Sequence, residues 1–323
     1  MTNTQIDAVL ARMQNILDSF QLKLLKEAMI LEFTINSFSQ NKYDNNALLD
    51  LFLKAKKVEG CSENTLTYYK NTLQKMDCSI SKPFTQIETD DLRDYLNNYE
   101  RDHYSSKVTI DNIRRIMSSF FSWLEDEDYI VKSPARRIHR VKTFLKVKET
   151  FTDEELEIIR DKCGNKRDLA IIDLLASTGM RIGELVKLDR NDIDFTEREC
   201  IVIGKGNKER KAYFDARAKL HLLDYLHSRN DNNPALFVTL PSPHKRLNKG
   251  GIELRLRRLG RRLNISRTHP HKFRRTLATN AIDKGMPIEQ VQKLLGHAKI
   301  DTTMHYALVN QNNVKASHRR YLE

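Results

Sequence analysis

The stretch Ser177-Thr178-Gly179-Met180-Arg181-Ile182-Gly183-Glu184-Leu185 decides how the second half of the chain folds. The apolar run over 169–176 before it reads as a helix, Ser177-Thr178-Gly179 as a polar turn, and 181–188 as a short helix. Arg181 thus stands at a helix start after a Gly turn, where its planar guanidinium and nearby backbone N–H groups would both face an anion. Taken alone, an arginine so placed is more often a surface residue than a ligand.

Downstream, 200–203 and 210–214 are rich in apolar or aromatic residues and flank Gly204-Lys205-Gly206-Asn207-Lys208-Glu209, which predicts a β-hairpin. Lys205 lies between two glycines at its tip, a place where the backbone can approach another molecule closely, although most such tips are solvated turns. Helices are predicted over 255–263, 272–284 and 288–295. His271 and Arg274 sit three apart at a helix start and share a face, where cations are unfavourable against the helix dipole unless an anion binds. Gly296 is placed to cap the last helix, His297 follows, and Tyr306 comes nine residues later.

Upstream, Thr152 and Glu155 form a capping box, with Phe151 and Leu156 as its hydrophobic staple, so a new unit begins there. The segment 131–148 carries Lys132, Arg136, Arg137, Arg140, Lys142, Lys146 and Lys148 with Pro134 and no acidic residue, and reads as an extended basic linker. Such a run is either a solvated face or a strip lying on a DNA backbone. Before it, polar breaks separate helices over 47–57, 62–76, 89–100 and 105–124, with Ser62 and Thr89 at N-cap positions. At the N-terminus, Ile6, Leu10, Met13, Leu17, Phe20 and Leu24 form one apolar seam and predict a single helix that packs on its own domain or on a neighbouring subunit.

A side chain that attacks a phosphodiester needs fixed cations on the non-bridging oxygens, a proton donor for the leaving oxygen, and a nucleophile in line. The motif around Arg181, the hairpin with Lys205, His271-x-x-Arg274, and Leu295-Gly296-His297 with Tyr306 nine residues on together resemble the catalytic signature of the tyrosine recombinase (phage integrase) family. The resemblance implies that Arg181 and Arg274 grip the scissile phosphate, Lys205 protonates the departing 5′ oxygen, His271 and His297 manage protons, and Tyr306 is the nucleophile. A phenol, with an ordinary pKa near 10, must lose its proton as it attacks, and gathered cations favour the phenolate. No metal or other cofactor is implied, since arginines supply the charge. Arg275 departs from the pattern, where a second histidine often stands, and would be a further phosphate contact or a surface charge.

The implied fold is mainly α with a small antiparallel β-sheet, a two-domain C-shaped DNA clamp. Its parts are an N-terminal extension (1–44), a helical core-binding domain of SAM-like type (45–130), the linker (131–148), a catalytic domain (149–309) and a tail (310–323). Lys107, Arg114, Arg115, Arg136, Arg137, Arg140 and Arg275 are further candidate DNA contacts, with a solvated face as the equal alternative. The 55 Lys and Arg against 43 Asp and Glu leave a formal charge of +12, which suits a polyanionic partner. Cys61, Cys78, Cys163 and Cys200 form no CxxC pair, which argues for inert thiols and against structural zinc or disulfides. With no signal-like start and no apolar run of about 18 residues, a cytoplasmic protein without membrane segments is expected. Double-stranded DNA and self-association to a tetramer on it are the implied partners. A type IB topoisomerase or hairpin-forming resolvase, and a DNA-binding regulator without chemistry, are the rival readings.

Overall fold

The computed structural model describes residues 3–40, 44–143, 149–204 and 209–307. It divides into two compact units, Met1–Leu145 and Lys146–Glu323.

In the first unit, α1 (Asn3–Met13) and α2 (Ser19–Gln40) precede α3 (Asn45–Val58), α4 (Glu63–Ile80), α5 (Thr89–His103) and α6 (Lys107–Asp126). The apolar seam does not run through one helix. Asp18 ends it by accepting the amides of Phe20 (2.9 Å) and Gln21 (2.8 Å), a local cap that competes with helix continuation. Beyond the break the seam stays exposed, 69% at Phe20 and 50% at Leu24, while Ile6 is buried.

Helices α3 to α6 enclose one core because each is apolar at helical spacing; on α6 this gives Ile110, Ile113, Met117, Phe120, Phe121 and Leu124. Phe120 meets Phe52 and Phe84 edge to face, with centroids 5.2 and 4.9 Å apart. Ser62 caps α4 by accepting the Thr65 amide at 3.3 Å. Thr89 does not cap α5; Glu88 holds that position, and the Thr89 hydroxyl donates instead to the Pro134 carbonyl at 2.9 Å.

That bond belongs to a second departure from expectation. The described part of the basic linker is not extended: Pro134–Arg137 is a short 3-10 turn, Ala135 is buried, and Ile138 and Val141 pack on the same core. Apolar residues three apart give the segment an inward face that its charge obscured. Residues 144–148 with Lys146 and Lys148, and the tail from 308, lie outside the described residues.

In the second unit, α7 (Asp153–Asp161) begins with the expected capping box, Glu155 N to Thr152 Oγ1 at 3.1 Å and Thr152 N to Glu155 Oε2 at 3.3 Å. Then follow α8 (Lys166–Thr178) and α9 (Ile182–Leu185), the latter shorter than predicted. Strands β1 (Ile193–Asp194), β2 (Glu199–Ile203) and β3 (Glu209–Tyr213) form an antiparallel sheet in that order, with Val202 opposite Arg210. The helices α10 (Ala216–His227), α11 (Lys249–Arg262), α12 (Pro270–Asp283), α13 (Ile288–Leu295) and α14 (Asp301–Ala307) complete the unit. Helix α11 starts six residues before its predicted start, under an Asn248 cap that accepts the Gly251 amide at 2.7 Å; Gly250 and Gly251 in its first turn hid it.

Buried α8 is the centre of this unit, with α10 and α12 packed against it. It ends at Gly179, whose φ of +59° is left-handed. A Cβ there would lie 2.7 Å from Leu277 Cδ2 and 3.1 Å from Leu295 Cδ2, so glycine lets α8 end directly against α12 and α13.

Candidate active site

The end of α13 gathers the site. A helix C-terminus leaves its last carbonyls without partners and carries partial negative charge. Here three consecutive carbonyls each accept from a different arginine: Leu294 O from Arg210 Nη1 (2.9 Å), Leu295 O from Arg274 Nη2 (2.5 Å) and Gly296 O from Arg181 Nη2 (3.2 Å). Arg274 is 3% exposed and also donates to Gly179 O at 2.7 Å, the carbonyl that ends α8. Arg181 stands at the start of α9, as its sequence position predicts.

Between these arginines lies Glu184, 3% exposed. Its carboxylate accepts the Arg181 amide (2.8 Å), Arg181 Nη1 (2.9 Å) and Arg210 Nη2 (2.8 Å). Burial alone would raise the Glu184 pKa, but the Arg181 amide, the Arg210 charge and the Arg181 guanidinium hold it below its ordinary value. This one carboxylate pairs with two of the three guanidinium groups, and Arg274 is left, among the described residues, with carbonyl partners alone.

The uncompensated charge is visible in the neighbours. Burial, then Arg181 and Arg210, push Arg274 down to about 10. Burial, then Arg274, Arg181 and Arg210, lower His297 to about 4. His271 is exposed, yet the desolvation it has, followed by Arg274, Arg275 and Arg181, lowers its pKa as well. Both imidazoles are disposed to be neutral where cations crowd and counter-charge is short.

His297 Nδ1 lies 2.8 Å from the hydroxyl of fully buried Thr303 on α14, which fixes the ring and leaves Nε2 free to face a ligand. Tyr306, on the same helix, stacks on His297 with centroids 6.0 Å apart and packs on the small cluster of Ala278, Val291 and Leu295. Five of the six predicted residues, Arg181, His271, Arg274, His297 and Tyr306, thus belong to one network of contacts and mutual charge effects. Lys205, the sixth, lies outside the described residues.

Arg210, Glu184 and Thr303 received no role from sequence. Arg210 had a usable signal: β3 alternates, and a cation opposite buried Val202 occupies an inward position that must find a counter-charge. Among the other candidates, Arg275 directs Nε and Nη2 to the Glu149 carbonyl (3.2 and 2.9 Å), Lys107 pairs with Glu100 (2.8 Å) and Arg114 with Asp111 (2.8 Å). Arg115, Arg136, Arg137 and Arg140 are exposed. Among the described residues, no group of three or more His, Cys, Asp or Glu could hold a metal, and no helix is long and apolar enough to cross a membrane.

Residues 149–313 match the phage integrase family, and residues 48–130 match the phage integrase N-terminal SAM-like domain. The chain belongs to the family of tyrosine recombinases. It is 33% identical over 281 residues to the tyrosine recombinase XerC of Herpetosiphon aurantiacus, covering 82% of this chain and 91% of the relative. With XerC of Staphylococcus aureus it shares 29% over 284 residues, 84% of this chain and 94% of that one. Among solved structures, a lambda integrase dimer bound to a COC′ core site has the same fold, with a TM-score of 0.71 at 19% identity over 85% of this chain and 80% of that one. The XerH site-specific recombinase bound to palindromic difH substrate, a post-cleavage complex, gives 0.67 at 21% identity, covering 83% of each chain. The protein is accordingly a tyrosine site-specific recombinase, and its function is site-specific DNA recombination.

Proposed function

We propose that this recombinase cleaves duplex DNA by attack of the Tyr306 hydroxyl on a backbone phosphorus. The bond from phosphorus to the 5′ oxygen breaks, a 3′-phosphotyrosyl link forms, and a free 5′-hydroxyl is released. Attack by a 5′-hydroxyl from a second site reverses the step and exchanges strands through a Holliday junction. The phosphotyrosyl ester keeps the energy of the broken bond, so no nucleotide is consumed.

The observation that carries this reading is the surplus of buried positive charge beside a tyrosine: three arginines on one helix end, with a single carboxylate among them. Such a cluster is stabilised by an arriving anion, and stabilised further as charge grows on the phosphoryl oxygens. Arg181 and Arg274 take the non-bridging oxygens. Lys205 gives its proton to the leaving 5′ oxygen. His297 and His271, held neutral by the same cations, hydrogen-bond the phosphate and exchange protons around it. The double-stranded substrate is bound by four subunits on two sites, to integrate or excise a mobile element or to resolve a dimer.

The test traps the enzyme on DNA in cells, sequences the trapped DNA to define the site, and builds that site into a nicked suicide duplex. Wild type forms an adduct that survives denaturation, and Tyr306→Phe forms none. An adduct that persists in Tyr306→Phe removes Tyr306 as the nucleophile. Cleavage without joining of two labelled sites would favour topoisomerase-like relaxation.

A further inference from the structure

Of the three arginines on the end of α13, Arg210 has no part in the chemistry proposed above. It enters from β3, opposite Val202, and its guanidinium ties that strand to two other elements. Nη1 donates to Leu294 O on α13 (2.9 Å) and Nη2 to Glu184 Oε2 on α9 (2.8 Å). The side chain is 13% exposed, and among the described residues its Nε is buried without a hydrogen-bond partner. A donor forgone inside a protein costs free energy, so the side chain is placed for what its two Nη atoms reach. The end of α13 makes room for it. A Cβ at Gly296 would lie 2.6 Å from Arg210 Cδ and 2.8 Å from Nε, so the glycine that caps the helix with φ +66° also lets this side chain pass against it.

The way Glu184 is shared shows what Arg210 does. Oε1 accepts Arg181 Nη1 (2.9 Å), while Oε2 accepts Arg210 Nη2 and the Arg181 amide, each at 2.8 Å. A buried carboxylate facing Arg181 alone would be free to turn both oxygens on that guanidinium, the bidentate geometry such pairs prefer, and would spend its charge there. Arg210 occupies one oxygen and prevents this. Arg181 then keeps Nη2 on Gly296 O (3.2 Å) and retains positive charge for an incoming anion. Behind burial, Arg274 and Arg181, the Arg210 charge also helps to hold His297 down at about 4. In the chain Arg210 follows Lys205 by five residues, so the strand after the proposed proton donor is tied to the same cluster.

We propose that Arg210 is a positioning residue for strand cleavage, which holds Glu184 and the end of α13 so that Arg181 and His297 meet the scissile phosphate together. It acts through those groups and does not itself grip the phosphate. The inference rests on the reading of Tyr306 as the nucleophile and Arg181 as a phosphate ligand.

The experiment follows single-turnover adduct formation by the full chain on the nicked suicide duplex, as rate against enzyme concentration and against pH. Arg210→Gln is expected to lower the limiting rate by about ten- to 100-fold, the scale of a displaced catalytic group, with a half-saturating concentration within about twofold of wild type. Because a cation beside His297 is gone, the acid limb of its pH profile is expected to move to higher pH. Arg210→Lys keeps the charge, so its acid limb is expected to match wild type, while its rate stays below wild type because one ammonium nitrogen replaces two guanidinium nitrogens. A wild-type rate and acid limb in Arg210→Gln overturn the inference. A rate loss that tracks a lowered melting temperature and leaves the acid limb in place overturns it too, as the mark of a merely structural role. So does a loss confined to the half-saturating concentration, the mark of a direct phosphate contact. Should Arg210→Gln fold poorly, Arg210→Lys decides, and a full wild-type rate there overturns the inference. Failure of wild type to form any adduct would instead sink the reading on which the inference rests.

Discussion

Arg181 combines two duties that a substitution separates: it donates to Glu184 and to Gly296 O, and it is proposed to hold the scissile phosphate. Removing one fixed donor from an oxyanion site costs on the order of 100- to 1,000-fold in rate, so Arg181→Ala should slow adduct formation by about that factor in single-turnover assays. A loss below about tenfold with collapsed DNA affinity would make it a binding residue only. His297 offers a second prediction. Its folded-state pKa of about 4 lies below the ordinary 6.5, so between these values the folded protein holds fewer protons than the unfolded chain. The stability tied to the neutral ring is full above about pH 6.5 and is lost as pH falls toward 4. Between pH 7 and pH 5 the melting temperature should therefore fall more for wild type than for His297→Gln, and equal falls would contradict the depressed pKa. Both residues were legible in sequence by spacing and resemblance. For Arg210 the alternation of β3 signals only an inward cation in need of a counter-charge; its partners Glu184 and Leu294 lie 26 and 84 residues away, and only folding brings them together.

At the scale of elements, long periodic segments were legible and short or polar ones were not. Helices α3 to α6 and the β2–β3 hairpin follow from apolar spacing, whereas α14, only seven residues long and opening with Asp301, has too short a pattern to declare itself. The folded-back basic segment was misread because charge dominated a stretch whose three inward residues are Ala135, Ile138 and Val141. Close packing of elements also depends on single glycines. On α11, a Cβ at Gly260 would meet Thr268 Oγ1 at 2.2 Å, Thr268 Cβ at 2.5 Å and Ile265 O at 3.0 Å. Two of these belong to short or backbone groups that cannot swing away, so the turn before α12 must move. Gly260→Ala should then destabilise the second unit by about 1–3 kcal/mol, the range for overpacking, read as a lower denaturant midpoint at constant m-value. Since that turn leads into His271 and Arg274, cleavage should weaken in the same variant, and unchanged stability would mean that the turn relaxes freely.

For the whole molecule the deciding quantity is charge, +12 in total. Some of the Lys and Arg is already answered by surface carboxylates, as at Lys107–Glu100 and Lys211–Glu199, and pairs of that kind release fewer counterions when DNA arrives. Among the described residues, cations open to DNA include the arginine cluster at the end of α13 and the exposed Arg115, Arg136, Arg137 and Arg140. If both units engage one duplex, about six or more phosphates are neutralised per subunit, and affinity for DNA should drop by roughly 10³ or more between 50 and 200 mM salt. A log–log slope near −5 or steeper in anisotropy titrations would agree with contacts from both units. A slope near −1 would mean that a single phosphate is held, as expected for a catalytic pocket acting alone, and would exclude the helical unit from the DNA interface.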